Sequence, residues 1–339
     1  MPKVITWVDN LKALCIFLVV YGHFAGLFPE IKSVIYSVHL PAFLIVTGYL
    51  SLYVLQQSSA QKLIKEQLLY YLLLYGLFTL ASSIIWYLLE ARDQSLNEIF
   101  KPLIGGLWGL HGPSLELIHN NDPLWYFPFL ITSLLMAFIF IHVPLIWKCL
   151  MVMVWVICYQ MHYLPPSAWS LDLAPVGALF ILLGAGLRTL ENENNYWLQK
   201  LNHPLCIVGL LSGWLLLVWV NGYVNLNSRE WGTSWLLFIV TAIAGTGFLI
   251  GVCKKIPASP IARQLSRHTL IIFCTHIYLV KALNSPLAQL PESIKHWAIL
   301  VAAILVTFIC WAISLCVQPL LIHWLKPKPS LKLALHKRN

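Results

Sequence analysis

The sequence predicts an all-α fold, a polytopic integral membrane bundle of about ten transmembrane helices with both termini in the cytoplasm. Of its 339 residues, 59% are hydrophobic and only 10% are charged, against roughly 25% charged residues in an ordinary soluble domain. The mean hydropathy is +0.75. The apolar residues form runs of about 20, the length that crosses a bilayer as a helix. This composition excludes a soluble enzyme, a disordered chain and a nucleic-acid-binding protein.

Ten apolar runs qualify as membrane spans. They cover residues 8–28, 34–55, 67–89, 123–143, 146–163, 173–190, 204–221, 232–252, 268–284 and 297–318. We expect residues 1–322 to form the membrane domain and residues 323–339 a basic cytoplasmic tail. With the N-terminus inside, fifteen Lys and Arg residues fall on the cytoplasmic side and six on the outer side, which fits the positive-inside rule. An even number of spans returns the C-terminus to the cytoplasm.

The first span carries three ionisable side chains, Asp9, Lys12 and His23. At 100° per residue they share a stripe about 60° wide, and about 16 Å of helix separates Lys12 from His23. Ionisable groups inside a membrane are costly, and they are usually paired or functional. Lys12 either snorkels to the headgroups with Asp9 as its i,i+3 partner or serves a ligand. His23 taken alone favours a packed, hydrogen-bonded core histidine over a functional one.

The positions of two further histidines bear on the role of His23. His39 lies about five residues below the outer surface on the second span, at the same depth as His23 on the first. Imidazole titrates near neutrality, which suits proton abstraction from a hydroxyl group. His276 lies in the middle of the ninth span and is expected to face the bundle interior rather than lipid. The sequence therefore predicts a polar cavity in the outer half of the bundle.

Two other groups of residues each allow two interpretations. Asp122 and Trp125, at the outer end of the fourth span, belong either to an interfacial aromatic belt or to a platform for a sugar ring. The predicted inside loop 253–268 contains Arg263 and Arg267. These arginines either mark topology alone or form a phosphate-binding patch for an anionic cosubstrate. The eight cysteines form no closely spaced pair, so no metal site and no disulfide framework is expected.

Four segments resemble the membrane acyltransferase-3 family, and the first is most similar to its fucose 4-O-acetylase-like branch. They are WVDNLKALCIFLVVYGH (Trp7 to His23), HLPAFLIVTGY (His39 to Tyr49), LWYF (Leu124 to Phe127) and SRHTLIIFCTH (Ser266 to His276). They occur in the family's order over nearly the whole chain. The sequence departs from the family pattern where Lys12 replaces a common Arg and Thr47 replaces Ser.

The resemblance implies a ten-helix enzyme without an appended domain that O-acylates a carbohydrate, with acetyl-CoA as cosubstrate and no metal. We expect His23 to be the general base, acting directly or through an acyl-His intermediate, and His39 to be the second catalytic residue, which orients the acceptor or shares the proton. The expected CoA-binding residues are Lys12, Arg263 and Arg267, and Asp9 is a structural partner. The expected substrate-binding residues are Asp122, Trp125, Tyr49 and His276.

The expected partners are acetyl-CoA, a surface polysaccharide or lipid-linked sugar, and membrane lipid, with no nucleic acid. A homo-oligomer is left open, and the expected location is the plasma (inner) membrane. Two other functional classes remain. A secondary transporter of a sugar or an anion uses interrupted spans, and Gly22 and Gly26 interrupt the first span. A non-catalytic flippase or scaffold would be indifferent to replacement of His23.

Overall fold

The computed structural model describes residues 5–57, 59–90, 92–93, 95, 100–109, 122–160, 167–193 and 203–325. Within these ranges the chain is helical with short connections and has no β-strand, which confirms the predicted all-α class. One isolated antiparallel bridge joins Asn225 to Glu230. Residues 326–339 of the predicted tail lie outside the described ranges.

Thirteen α-helices are described, and two 3-10 turns lie at Asp122–Trp125 and Ala168–Ser170. A π-helical turn lies at Ile64–Leu68. The helices are α1 (Thr6–Gly22), α2 (Pro29–Tyr36), α3 (His39–Gln57), α4 (Ala60–Leu63), α5 (Leu69–Glu90), α6 (Phe100–Leu107), α7 (Tyr126–His142), α8 (Leu145–Gln160), α9 (Ala174–Asn192), α10 (Pro204–Asn221), α11 (Trp235–Lys255), α12 (Pro260–Ala288) and α13 (Glu292–Leu325).

Eight helical segments of the described part are long and apolar enough to cross a membrane. They are Pro29–Gln56, Ala60–Leu89, Pro123–His142, Ala168–Asn192, Pro204–Asn221, Trp235–Lys255, Pro260–Ala288 and Glu292–Leu321. The other two predicted spans are shorter helices, α1 with 17 residues and α8 with 16. Each predicted span thus overlaps at least one described helix, and the count of ten membrane crossings stays a prediction.

In the first two predicted spans, the helices begin and end at other residues than predicted. Helix α1 ends at Gly22, so that His23 occupies its C-cap. The second predicted span is divided, because α2 ends at Tyr36 and α3 begins at His39. Pro41 lies in the first turn of α3, where a missing N–H costs no helical hydrogen bond. Both catalytic candidates therefore lie at helix ends.

The predicted inside loop 253–268 is wrong for its second half, because α12 already begins at Pro260. The Ser259 side chain accepts a hydrogen bond from the backbone N–H of Ala262 at 3.3 Å. A serine N-cap followed by proline at the first helical position is a favoured helix start. Arg263 and Arg267 consequently lie on helical turns, one turn apart.

Helices α3 and α9 pack with their backbones in close contact through two glycines. A Cβ atom at Gly48 would lie 1.8 Å from the carbonyl oxygen of Ile181, and one at Gly184 would lie 1.9 Å from that of Ile45. Glycine at such a crossing lets two membrane helices approach more closely than any side chain permits. The contact fixes α9 against the helix that carries His39.

Helix α1 lies inside the bundle against α3, α11, α12 and α13. Its N-terminal half is tied to its neighbours by polar contacts. The Asn10 amide donates to the carbonyl oxygens of Cys253 at 3.3 Å and Ile256 at 3.1 Å. The Ser266 hydroxyl donates to the Asp9 carboxylate at 2.7 Å. These bonds set the depth of α1 and hence the position of His23 at its other end.

Candidate active site

Three predicted site histidines lie at the end of the bundle that contains the C-terminus of α1. The imidazole rings of His23 and His276 have centroids 4.9 Å apart and are oriented edge to face at 74°. Tyr36 lies between His23 and His39, with centroid distances of 6.3 Å and 5.1 Å. His276 is fully buried and His39 is 3% exposed. The helices thus bring together side chains that are far apart in sequence.

Each of these histidines is oriented by a contact between Nδ1 of its ring and a backbone carbonyl oxygen three or four residues earlier. Nδ1 of His23 lies 2.7 Å from the carbonyl oxygen of Val19, and Nδ1 of His39 lies 2.7 Å from that of Ile35. Nδ1 of His276 lies 2.9 Å from the carbonyl oxygen of Phe273. Because a carbonyl oxygen only accepts, Nδ1 carries the proton in each ring. In the neutral imidazole, Nε2 is then the acceptor, the form required of a general base.

A cavity of about 210 Å³ opens beside these rings and is called the histidine cavity here. Its lining residues come from five parts of the chain: His23, Tyr36, His39, Leu40, Pro123, Trp125, Asn225, Leu226, Asn227, Ser228 and Phe273. The cavity is smaller than the roughly 300–1,000 Å³ of sites for drug-sized ligands. It suits one small polar group or one ring of a larger ligand.

Trp125 lines the cavity as the last residue of a 3-10 turn, and it is 7% exposed. Its ring stacks on Phe129, with centroids 5.4 Å apart and an interplanar angle of 26°. This contact holds the indole in place within the lining. The backbone of Asp122 begins the same turn, while its side chain lies outside the described residues. Of the two predicted platform residues, the structure therefore locates the side chain of Trp125.

The sequence analysis missed the polar loop that forms one wall of the histidine cavity. Asn225, Asn227 and Ser228 belong to the connection between α10 and α11, which turns back on itself through the Asn225–Glu230 bridge. Nothing local distinguishes these residues from an ordinary solvated loop. Tyr36 was also missed, although its position three residues before His39 places an aromatic ring near that histidine.

The predicted phosphate-binding residues lie toward the other end of α1. Lys12 is half-buried and precedes His23 by eleven residues, about 16 Å along the helix. Arg263 is half-buried and Arg267 is exposed on the first turns of α12. Within the described part, no ion pair joins Lys12 to Asp9, whose carboxylate instead accepts from a serine on α12. Lys12 and His23 thus lie toward opposite ends of α1.

The structure does not bring Tyr49 to the histidine cavity. Tyr49 lies ten residues after His39 on the same helix, about 15 Å further along. There its hydroxyl group accepts from Arg188 at 2.5 Å and donates to the Glu191 carboxylate. Glu191 also pairs with Lys254 at 3.1 Å. Tyr49 therefore belongs to a charged cluster at the end of α1 opposite His23.

The arrangement offers two chemically different regions joined by α1. One holds imidazole acceptors in a small cavity with amide, hydroxyl and aromatic groups, which suits binding and deprotonation of a hydroxyl. The other holds lysine and arginine side chains, which suit phosphate or carboxylate groups. Among the described residues, no three His, Cys, Asp or Glu side chains are grouped so as to hold a metal ion.

Comparison with known proteins assigns the family. A family model described as an acyltransferase domain, that of the acyltransferase-3 family, matches residues 5–315. This range covers more than nine-tenths of the chain, so the protein belongs to this membrane family. No curated protein and no solved structure gives a significant match. The family assignment and the apolar helices together identify an integral membrane acyltransferase.

Proposed function

We propose that this member of the family transfers an acetyl group from cytoplasmic acetyl-CoA to a hydroxyl group of a surface or lipid-linked carbohydrate. The observation that carries the proposal is the pairing of His23 with His276 beside a small polar cavity, with Lys12 about three turns away on the same helix. A proton acceptor and a cationic region are the two things that hydroxyl acylation by a charged donor requires.

In the proposed reaction, Nε2 of His23 takes the proton of the acceptor hydroxyl as its oxygen attacks the thioester carbonyl carbon. The carbon–sulfur bond then breaks, and the His23 imidazolium returns the proton to the departing thiolate, which gives an ester and free CoA. A positioned base is typically worth 10²–10⁴-fold in rate. An acyl group carried briefly by His23 is the alternative route. His39 and His276 act as positioning residues.

For the donor, we propose that Lys12, Arg263 and Arg267 hold the CoA phosphates. Lys12 is a point charge where many relatives have arginine, so it cannot grip phosphate in a bidentate manner. The two arginines, one helical turn apart on α12, can supply that geometry. The thioester must then reach about 16 Å along α1 toward His23. Entry of the donor at the Lys12 end of α1 is consistent with ten spans in an inner membrane and with both termini in the cytoplasm.

For the acceptor, we propose that a single sugar ring enters the histidine cavity, with its reacting hydroxyl toward His23. Trp125 supplies an apolar wall, and Asn225 and Asn227 supply amide groups that suit sugar hydroxyls. Asp122 is proposed to lie at the mouth of the site. A volume of about 210 Å³ favours one ring in this cavity.

The test is acetyl transfer by purified wild-type and variant protein in proteoliposomes, with radiolabelled acetyl-CoA and surface glycan from the host cell. Mass spectrometry of that glycan in deletion and complemented strains provides the cellular readout. We expect His23→Ala and His23→Gln to abolish transfer while protein level and Tm hold. His142→Gln is the matched control, because the exposed His142 forms the same Nδ1 contact with the carbonyl four residues earlier. Retained transfer by either His23 variant would exclude its role as base.

The transporter alternative is tested in the same proteoliposomes. Counterflow of labelled sugar without acetyl-CoA would support transport, whereas acetylation that depends on His23 would support the transferase. A scaffold would show neither activity. Identical glycans in the deletion and complemented strains, together with no binding of labelled acetyl-CoA, would overturn the proposal.

A further inference from the structure

A second and larger cavity lies beside the histidine cavity and is not used by the reaction proposed above. It has a volume of about 610 Å³ and is called the hairpin cavity here, after the loop 222–234 that lines much of it. Its lining residues are Cys158, Tyr159, Gln160, Asp172, Tyr223, Arg229, Glu230, Trp231, Gly232, Thr233, Ser234 and Trp235. This volume is in the range of pockets that bind small ligands.

The two cavities share one wall. Residues 225–228 of the loop line the histidine cavity, and the next residues, from Arg229 on, line the hairpin cavity. On the same boundary, Tyr223 of the hairpin cavity packs against Tyr36 of the histidine cavity, with ring centroids 5.4 Å apart. A ligand filling the hairpin cavity would therefore be a direct neighbour of one in the histidine cavity.

The shared wall is held by an ion pair whose carboxylate is buried. Nε of Arg229 donates to the Asp172 carboxylate at 2.8 Å, and a second nitrogen donates at 3.1 Å. Asp172 is 3% exposed in its side chain and Arg229 is 20% exposed. Arg229 has a φ of 59°, an uncommon value for a residue with a side chain. The wall is thus built before any ligand arrives.

The chemistry of the hairpin cavity fits neutral sugar rings. Four aromatic side chains contribute to it, and Tyr159 contacts Trp231 and Trp235 with centroid distances of 5.3 Å and 5.9 Å. Aromatic rings pack on the apolar faces of sugars, while Gln160 and Thr233 offer hydrogen-bonding groups.

The charge of the hairpin cavity argues against the anionic donor. The guanidinium of Arg229 is engaged by Asp172, and Glu230 adds a negative charge. No uncompensated cation therefore lines the cavity within the described residues, which disfavours the phosphates of CoA. A neutral carbohydrate matches both the aromatic surface and the charge.

We propose that the hairpin cavity is a second acceptor subsite, which binds further neutral sugar units of an oligosaccharide whose reacting unit occupies the histidine cavity. This inference rests on the proposed function. It makes the acceptor a di- or oligosaccharide rather than a single sugar. Trp231 and Gln160 are then specificity residues that act on chain length.

The experiment uses mono-, di-, tri- and tetrasaccharide fragments prepared from the host's surface polysaccharide. Transfer from acetyl-CoA and direct binding by calorimetry are both measured for the full-length protein. We expect kcat/KM and affinity to rise about tenfold between the monosaccharide and the longer fragments, the gain that one aromatic contact typically supplies. Trp231→Ala should lose most of that gain, whereas Trp231→Phe should keep part of it.

Two further variants separate a subsite from a folding defect. Gln160 is exposed at the end of α8, so Gln160→Ala should fold normally and weaken binding of longer fragments several-fold. Trp219→Ala is the matched control, because Trp219 is 81% exposed on α10 and does not line the cavity. It should behave as wild type at every fragment length.

The outcomes distinguish this inference from the proposed function. If wild type binds the longer fragments no tighter than the monosaccharide, or binds none of them, the second subsite does not exist. The same conclusion follows if Trp231→Ala weakens all lengths equally. If length-dependent binding is seen but no fragment is acetylated, the subsite stands and the proposed transfer reaction fails.

Discussion

Replacement of Gly184 by alanine should strongly destabilise the bundle, whereas the same replacement at Gly186 should not. The added Cβ at Gly184 would lie 1.9 Å from the carbonyl oxygen of Ile45, against about 3.4 Å for ordinary contact. Helices α3 and α9 must therefore separate by about 1.5 Å, the difference between these distances. At Gly186, nothing lies within 4 Å of the new atom.

The expected magnitudes follow from these distances. Overpacking of this kind costs typically 1–3 kcal/mol and sometimes more, and here the obstacle is a backbone carbonyl that cannot rotate away. We expect Gly184→Ala to lower the free energy of unfolding by about 3 kcal/mol, at or above the upper end of this range. Gly186→Ala should raise the free energy of unfolding by roughly 0.5–1 kcal/mol, because alanine is a better helix former than glycine. The two variants differ only in which face of α9 receives the methyl group.

The assay is thermal unfolding of purified protein in detergent, followed by intrinsic fluorescence, with acetyl transfer measured in parallel. Gly184→Ala should lower Tm by several degrees and reduce transfer, because separation of the helices moves α3 and with it His39. Gly186→Ala should match or exceed the wild-type Tm. Equal Tm values for the two variants would refute the close backbone contact between α3 and α9.

Three further predictions concern charged and polar contacts. Asp172→Asn should lower stability by roughly 2–3 kcal/mol in unfolding experiments, because the half-buried guanidinium of Arg229 loses its counter-charge. The control Glu292→Gln, at an exposed carboxylate, should leave Tm unchanged. Lys12→Ala should raise the KM for acetyl-CoA and Lys12→Arg should preserve it, and an unchanged KM in both would remove the phosphate role. Tyr49→Phe should reduce Tm but leave the KM for the acceptor unchanged, since its hydroxyl lies at the end away from the histidine cavity.

The helices could be predicted from sequence because hydropathy reports the length of chain that must cross the bilayer. Their ends could not, since helical hydrogen bonding does not stop at the edge of the apolar run. The predicted ninth span begins at residue 268, whereas α12 begins at Pro260. The Ser259–Pro260 pair is a helix-start signal, but the polar and basic residues of 253–268, Arg263 and Arg267 among them, interrupt the apolar run and predict a loop there.

The depth of residues below the outer membrane surface, counted along the sequence, correctly predicted part of the candidate site. Counting residues from the outer surface predicted that His23 and His39 share a level, and both line the histidine cavity. The same count places Tyr49 about 15 Å deeper than His39, so its grouping with the acceptor site came from motif resemblance alone. The structure places it beside Arg188 instead. For Tyr49, residue spacing along the helix predicted the position better than motif resemblance did.

The loop between α10 and α11 shows what sequence alone does not contain. Arg229 is held by Asp172, 57 residues earlier in the chain, and no local pattern connects them. The bond depends on tertiary packing that brings the turn before α9 against the loop between α10 and α11. The wall shared by the two cavities therefore becomes visible only when the tertiary structure is known.

The histidines illustrate the division between local and long-range information most directly. In His23, His39 and His276 the carbonyl bound by Nδ1 lies three or four residues earlier, so the helical backbone itself selects the tautomer. The exposed His142 makes the same bond, and it lies away from the histidine cavity. Tautomer choice is therefore encoded locally and is shared by histidines without a site. What distinguishes His23 is the ring of His276, brought within 4.9 Å by the packing of α1 against α12, and it is this contact that makes His23 the residue to test first.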